Sequence, residues 1–595
     1  QWLPRLAHGE EIPCFALTGP RAGSDAGAIP DTGVVCQHKF EGCRTLGIRL
    51  NWDKRYITLG PVATVLGLAF RLYDPEHLLG AEDDLGITLA LIPATTPGVE
   101  IGARHVPMDI PFQNGPNHGH NVFIPLEWVI GERKGIGRGW RMLMECLSEG
   151  RGISLPALAT GAAKAASRHT GAYARVRRQF GRPIGAFEGI EEALARIAGR
   201  TYQMDAARRF LLSALDSGER PSVVSAIVKY HLTERYRRVI NDAMDIQGGS
   251  GICLGPDNWI GRAYQAIPIA ITVEGANILT RNLIVFGQGA IRGHPYLMRE
   301  VHAAHMQDHT DAETEFDQVI RGHVGWLLRN LGRTFLLGLS RGRLAGTSAP
   351  AGVKRYVKHL DWMSAAFALC ADLCLMTLGG DLKRRERLSA RLGDLLSELY
   401  IASAAVRHFL DADLDPTERP LFRWAMDDSL RRIQRAFLGL WRNLPYRGLA
   451  WFMRAMVFPT GLPYRGPGDQ LDRQAARLLL APSEVRDRLT AGIFVSSDPA
   501  LPIGRLEHAL ALADGEDTVH RIIRQARKLG RLHATKPDDL IHEAVARHII
   551  TAKEADLMRK AERLRDRVIQ VNAFSDYGHR NTQPSPLQAA KENAA

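Results

Sequence analysis

The hydrophobic pattern changes twice along the chain. Through residues 1–130, apolar residues come in short β-branched runs broken by Gly and Pro. Ile48–Thr58, Val62–Leu72 and Ile87–Ile92 read as strands between turn signals such as Asp74-Pro75 and Thr96-Pro97-Gly98. No long helical period occurs there, which predicts a compact β domain. From Gly137 to about Arg292 the period becomes 3.6. Trp140–Leu147, Leu158–Arg177, Glu188–Leu215, Val223–Gln247 and Ile269–Phe286 are amphipathic, and Gly248-Gly249-Ser250-Gly251 stops one helix. A helical bundle is expected, able to host a cofactor between facing helices. Helices continue after His294 over Phe316–Gly342, Leu360–Gly379, Leu388–Asp411 and Glu418–Trp441. Pro445, Pro459, Pro463 and Pro467 mark a loop-rich crossover, and the polar tail after Asn572 is expected to be disordered. The expected organisation is a β domain over 1–130, a helical bundle over 131–292, a further helical region over 293–572 and a tail over 573–595. The class is α+β, mostly α.

Composition narrows the partners. Of 595 residues, 76 are Lys or Arg and 64 Asp or Glu, for a net charge of +12. That balance suits nucleotides, CoA phosphates, anionic lipid or nucleic acid. No nucleic-acid recognition module occurs, so nucleic acid is not an expected partner. Seven cysteines without a CxxC pair argue against a disulfide framework or a four-cysteine zinc site and for a reducing compartment. Cys370 and Cys374, one helical turn apart, read as core residues. His118 and His120 lack further spaced ligands and read as a surface loop, so no metal is expected. Trp362–Leu378 approaches bilayer-spanning length but carries Asp372, and reads as a buried helix. The chain opens at Gln1 without a signal peptide and is expected to begin inside a longer protein.

Five segments carry candidate chemistry. Ala16–Gly27 combines glycines with Thr18, Arg21 and Ser24; it is either a surface turn or a loop closing on a phosphate or ring edge. Lys54–Thr58 puts Tyr56 and Thr58 on one strand face, as an ordinary strand also would. Tyr173–Ile184 carries four arginines, either a solvated basic face or a pyrophosphate clamp. Asp242–Gly251 runs a helix into Gly248 and Gly249, which a simple C-cap also explains. Glu274 follows the uncharged run Ile267–Val273; it is either a helix N-terminal carboxylate or a desolvated base.

In this order and spacing the five segments resemble the acyl-CoA dehydrogenase family over residues 1–292. The phrases at 16–33, Pro111–Pro116 and 271–281 are similar to its large bacterial long-chain members, which carry an additional C-terminal region. The resemblance implies that family's fold, with its N-terminal helical domain ahead of Gln1, and FAD as cofactor. Phe15, Leu17, Thr18, Gly23 and Ser24 match the loop lining the flavin, and Ser24 also a CoA contact. Tyr56 matches the aromatic packed on the ring and Thr58 the hydroxyl facing it. Arg177, Gln179 and Phe180 match the segment reaching a neighbouring subunit's FAD. Gly248 and Gly249 match glycines against the adenosine. Glu274 matches the catalytic base, Gly275 the residue after it, and Arg151 an arginine near the substrate head. Departures fall at Gly19, Asp245, Val273, Ala276 and Ile278; of these, Asp245, Ala276 and Ile278 occupy cofactor-contact positions. Some relatives place the base on the helix near Arg151. Gly150 stands there here, and Glu149, one residue away, is rotated about 100° around the helix from it.

The resemblance implies α,β-dehydrogenation of a long- or medium-chain fatty acyl-CoA to a trans-2-enoyl-CoA, the first step of β-oxidation. Electron-transferring flavoprotein is the implied acceptor and a homodimer the implied assembly. The rival readings are an acyl-CoA oxidase on the same fold and a catalytically silent acyl-CoA- and flavin-binding scaffold. Localisation is expected to be cytoplasmic. Arg431–Arg442 mixes arginine with aromatics at helical spacing. It is either a membrane-surface patch at the inner membrane or a solvated basic face.

Overall fold

The computed structural model of the chain describes residues 2–289, 293–303, 305 and 309–575. Two compact units emerge: Gln1–Gly150 with Thr272–Leu279, and Arg151–Ile271 with Thr280–Ala595.

The first unit is built on a seven-stranded sheet of β1 (Pro13–Ala16), β2 (Thr32–Phe40), β3 (Cys43–Thr58), β4 (Val65–Tyr73), β5 (Asp84–Pro93), β6 (Val99–Ile101) and β7 (Asn114–Pro125). The order is β1-β4-β2-β3-β7-β6, with β5 paired to β4; β1 and β2 run parallel to β4, and the other pairings are antiparallel. Alternation explains the core. Ile48, Leu50, Leu66, Leu68, Phe70, Val122 and Ile124 point inward and are fully buried. One close approach needs a glycine. A Cβ on Gly119 would lie 2.0 Å from the Trp52 ring, which sits opposite it in register. The sequence pattern missed β1, β2, β6 and β7; β1 and β6 are only four and three residues long, and β7 (NGPNHGHNVFIP) begins with polar and glycine residues that carry little strand signal.

The second unit is helical. Helix α1 (Gly139–Val176) starts in the first unit and runs on through Pro156, joining two segments that the pattern separates. Then come α2 (Glu188–Asp216), α3 (Ser222–Gln247), α4 (Gly261–Thr272) and α5 (Asn277–Leu279), which continues as a π-helical stretch over Thr280–Gln288. The single helix expected over Ile269–Phe286 is therefore two, bent by 50° about residues 273–276. After residue 292 follow α6 (Leu297–Ala303), α7 (His309–Leu339), α8 (Ala351–Leu378), α9 (Glu386–Asp411), α10 (Arg419–Asn443) and α11 (Arg447–Val457), and helices recur to Val568.

Residue 292 is not a division between units. The bundle and the later helices share one core that includes Leu194, Leu232, Trp362, Phe409 and Phe437. Gly199 on α2 makes room for Trp424 on α10, whose ring a Cβ would meet at 1.9 Å. Charge joins them too. Arg168 on α1 bonds Glu507 (3.0 Å) and Asp487 (2.8 Å), and buried Arg486 bonds Glu507 (2.6 Å) and the Arg168 carbonyl (2.9 Å). The two guanidiniums hold the Glu507 carboxyl below its usual pKa, against burial, which raises it. Cys370 and Cys374 are fully buried, as expected of core residues, and burial pushes the Cys374 thiol up to about 12. Of the expected tail, residues 576–595 lie outside the described residues.

Candidate functional site

Strand β1 turns Cys14 and Ala16 inward and leaves the Phe15 ring exposed. Leu17 is buried with Ala22, Ile29 and Leu143, which anchors the start of the glycine-rich loop. Thr18 is half-buried; Gly23 and Ser24 are exposed. Two bonds hold the loop to β3, Lys54 Nζ to the Leu17 carbonyl (2.9 Å) and the Arg55 N–H to the Thr18 carbonyl (3.0 Å), and the Gly19 N–H closes the loop on itself at the Ala22 carbonyl (3.1 Å). Lys54 is itself fully buried and ion-paired to buried Asp31, whose other oxygen accepts from the Asp53 N–H (2.9 Å). Burial lowers the Lys54 pKa, and Asp31 opposes that shift. The glycine at 19 has a local cause: a Cβ there would lie 2.7 Å from the Asp53 carbonyl oxygen.

Tyr56 and Thr58 both face outward, as period 2 predicts. Tyr56 sits at a register shift between Lys54 and Ile57, with φ of 62° and a ring 58% exposed. The phrase at 111–116 accounts for this bulge. Asn114 Nδ2 donates to the Tyr56 carbonyl (2.9 Å), and the Leu59 N–H donates to the Gln113 carbonyl (2.9 Å). The His105 ring lies 5.6 Å from Tyr56, and its buried Nε2 has no partner among the described residues.

The same unit holds Glu274. Helix α4 stops at Thr272, and Glu274 (φ 54°) and Gly275 (φ 92°) form consecutive left-handed residues before α5 begins. A left-handed glutamate is strained by about 1–3 kcal/mol and persists where its surroundings hold it. Gly150 faces it: a Cβ there would lie 3.8 Å from Glu274 Oε1. Ala276 is half-buried and Ile278 is 79% exposed. The Glu149 side chain lies outside the described part of the structure.

In the second unit, Arg151 is half-buried on α1. The four arginines of Tyr173–Ile184 separate into roles. Arg175 bonds Asp514 (2.8 Å) and Asp517 (2.5 Å), Arg178 pairs with Asp517, and Arg182 lies over the Phe187 ring at 3.9 Å. Arg177 has no carboxylate partner among the described residues. Gln179 is exposed, and Phe180 (φ 51°) is 93% exposed. Helix α3 ends at Gly248 (φ 62°), and a Cβ on Gly248 or Gly249 would meet nothing within 4 Å. Gln247 Oε1, beside them, is buried with no partner among the described residues. Asp245 is exposed.

Each unit, taken by itself, presents groups that suit part of a flavin nucleotide. The first unit offers a flat exposed ring, an adjacent hydroxyl and an orphaned imidazole nitrogen; the second offers a free guanidinium, an open glycine floor and an orphaned amide oxygen. Sequence reasoning missed Asp31, Lys54, His105 and Gln247. A buried lysine in the middle of the charged run Asp53-Lys54-Arg55 looks like surface charge in sequence, and an orphaned atom has no sequence signal at all.

Two other groups need placing. His118 bonds Asp53 (Nδ1 to Oδ1, 3.0 Å) and His120 contacts Asn121 (3.2 Å), so they lie on β7 rather than in a loop. The Arg431–Arg442 segment lies on α10, where Ile433, Phe437, Leu440 and Trp441 are buried in the core. Arg431, Arg432 and Arg435 line a charged cavity of about 1120 Å³. The apolar face that a membrane patch needs is thus occupied there. The exposed apolar stripe lies on α7 and α11 instead, with Val324, Leu328, Leu336, Leu339, Trp451 and Phe452 in the open. Residues 318–358 and 429–467 there carry eight and seven Lys or Arg and no acidic residue. Among the described residues, one helix, Ala351–Leu378, is long and apolar enough to cross a membrane, and its Asp372 is 1% exposed.

Comparison with known proteins agrees with this geometry. A family model described as acyl-CoA dehydrogenase, C-terminal domain, matches residues 137–287, and one described as acyl-CoA dehydrogenase, C-terminal, bacterial type, matches residues 291–574. The chain is 30% identical over 291 residues to the Acyl-CoA dehydrogenase of Bacillus subtilis, covering 48% of this chain and 70% of that one. It is 26% identical over 461 residues to the Probable acyl-CoA dehydrogenase FadE10 of Mycobacterium tuberculosis, covering 74% of this chain and 67% of that one. A 104-residue stretch is 55% identical to Protein HemX of Proteus mirabilis, 18% of this chain and 61% of that one. The chain therefore spans about two-thirds of the length of these relatives. In fold it is similar to the crystal structure of Acyl-CoA Dehydrogenase complexed with FAD from Bacillus anthracis, with a TM-score of 0.63 at 20% identity, over 81% of this chain and 77% of that one. Matches on both sides of residue 292 and the relative from Bacillus subtilis establish that the chain belongs to the acyl-CoA dehydrogenase family.

Proposed function

We propose that this chain carries out FAD-dependent α,β-dehydrogenation of long- or medium-chain fatty acyl-CoA to trans-2-enoyl-CoA, as the first step of β-oxidation. The observation that carries the reading is Glu274. It is a carboxylate on a left-handed turn between two helices, facing a glycine on α1. Bound FAD supplies the two-electron acceptor for the β hydride. The protein's own residues do the rest. Glu274 removes the α proton, and water expelled by an acyl chain raises its basicity toward that of the carbon acid. Gly150 leaves space at the carboxylate, and Gly275 lets the chain turn so that a thioester can approach the backbone. Lys54 and Asp31 hold the loop of Thr18 and Ser24 onto β3, and the Asn114 bond holds the bulge that presents Tyr56. Arg177, with no carboxylate of its own, is placed to meet a pyrophosphate. Electron-transferring flavoprotein is the proposed acceptor and a homodimer the proposed assembly.

Peripheral attachment to a cytoplasmic anionic membrane belongs to the same reading, through the basic, apolar surface of α7 and α11. Sedimentation with vesicles of phosphatidylcholine and phosphatidylglycerol would support it. Absence of binding together with dimerisation lost in Leu328→Glu would give that surface to a second copy instead.

The decisive experiment is anaerobic titration of the full-length protein with palmitoyl-CoA while following oxidised-flavin absorbance. Bleaching in wild type and none in Glu274→Gln is the expected result. Bound flavin that no acyl-CoA bleaches would leave the scaffold reading, and oxygen uptake without an added acceptor would make the protein an oxidase.

A further inference from the structure

Four side chains converge in the helical region after residue 292, none of them among the residues assigned to acyl-CoA chemistry. His294 precedes α6, Glu300 lies on α6, His323 on α7 and Asp372 near the middle of the apolar helix α8. One donor atom from each of His294, His323 and Asp372 lies within 4.8 Å of the other two. Each of the central pair is held by a further residue. The Glu300 carboxylate accepts from His323 Nδ1 at 2.5 Å. The N–H groups of Tyr296 and Leu297 donate to His294 Nδ1 (3.2 and 3.1 Å), so the His294 proton rests on Nε2 and faces Asp372 Oδ1 at 2.8 Å. The Tyr296 ring stacks on His323 at 5.7 Å and 7°.

Two atoms are left over. His323 Nε2 and Asp372 Oδ2 are both buried and have no hydrogen-bond partner among the described residues. His323 Nε2 stands 3.7 Å from Asp372 Oδ1, too far for a hydrogen bond. It is near the roughly 3.3 Å edge between two ligands of a tetrahedral ion with bonds of about 2.0–2.1 Å. Charge points the same way. With neutral imidazoles the cluster holds one fully buried carboxylate, Asp372, and one half-buried, Glu300, and buried charges are stable only when paired or bound to a metal. A divalent cation balances them.

We propose that His323 Nε2 and the Asp372 carboxylate bind a divalent first-row transition ion such as zinc, in the helical region after residue 292. Glu300 fixes the imidazole so that Nε2 carries the lone pair, and His294 fixes the carboxylate. Ligating histidines characteristically donate their second ring N–H to such a carboxylate. Solvent completes the coordination. The ion ties α8 to α6 and α7.

The test is metal analysis of the full-length protein purified without chelator, then Co²⁺ titration of the chelator-treated protein followed by visible absorbance. About one zinc per chain is expected, with a saturable Co²⁺ band that zinc abolishes. His323→Ala and Asp372→Asn should lose both. Glu300→Gln, which keeps the volume, should weaken Co²⁺ binding by about 10–100-fold. His294→Gln should weaken it less than His323→Ala, because His294 acts through Asp372. Wild-type protein with neither zinc nor a Co²⁺ band overturns the proposal. So does a Glu300→Gln protein that is folded by circular dichroism and binds as wild type.

Discussion

Gly150 on α1 faces the Glu274 carboxylate at the distance of an ordinary van der Waals contact, 3.8 Å from where a Cβ would sit to Oε1. One helix position therefore decides whether the site holds one carboxylate or two. Gly150→Ala should keep substrate-dependent flavin reduction within a few-fold and gain helix stability of up to about 1 kcal/mol. Gly150→Asp should put a like charge beside Glu274 and raise its pKa, moving the acid limb of the reduction-rate profile up by about one unit. An unmoved profile would place the two groups apart.

Gly19 is held by sterics against the Asp53 carbonyl. Gly19→Glu should push the loop off β3. Expected are a lower flavin-to-protein ratio after gel filtration and a loss of about 1–3 kcal/mol in urea unfolding. Normal flavin content would show that the loop tolerates the displacement.

Asp31→Asn removes the charge that compensates a fully buried lysine. A loss of about 3–5 kcal/mol is expected, because the surviving ion stays desolvated. Lys54→Met with Asp31→Leu should recover much of it. If the double variant is no more stable than Asp31→Asn, the pair does more than compensate charge.

Burial holds the His169 imidazole neutral, with a pKa of about 4 against an ordinary 6.5. Between these values the unfolded chain binds a proton that the folded one refuses. Stability should therefore fall as pH drops from about 6.5 to 4, by up to about 1.4 kcal/mol per unit from this residue. His169→Phe should flatten that part of a Tm-against-pH curve. An equally steep curve in the variant would assign the slope to other groups.

Phe180 is exposed and touches only the Phe187 ring edge-on at 6.0 Å, and Arg177 has no carboxylate partner among the described residues. Phe180→Ala should leave the urea midpoint unchanged, while Arg177→Leu and Phe180→Ala each weaken FAD retention about tenfold, read as flavin released on dilution. Unaltered retention would remove this segment from the cofactor site.

Much of the helical region was legible. The long amphipathic runs at 188–216, 222–247, 386–411 and 419–443 carry a clear 3.6 period, and the observed ends differ from the pattern by a few residues. The break at 273–276 was not legible, because a left-handed Glu274 looks identical to a helical one in sequence. The polar strand β7 was missed because its order comes from pairing with β3 and from the Trp52 ring over Gly119, both non-local. The site residues of the first unit were readable as motifs, yet what supports them was not. Lys54 has the composition of a surface residue, and only the fold makes it an internal one. Asp372, taken from sequence as a sign that its helix is buried, was indeed buried, but its companions lie 49 to 78 positions away.

The buried pairing of Arg168 with Glu507 and Arg486 sets an order of events during synthesis. The helix carrying Arg168 leaves the ribosome some three hundred residues before its countercharge. At about 5–20 residues per second, the nascent bundle waits for roughly 15–70 s with that arginine unmatched and its apolar neighbours uncovered. The chain is therefore exposed to chaperones over that window, and a message truncated anywhere between the codons for Arg168 and Glu507 should yield a product destined for proteolysis rather than a smaller enzyme.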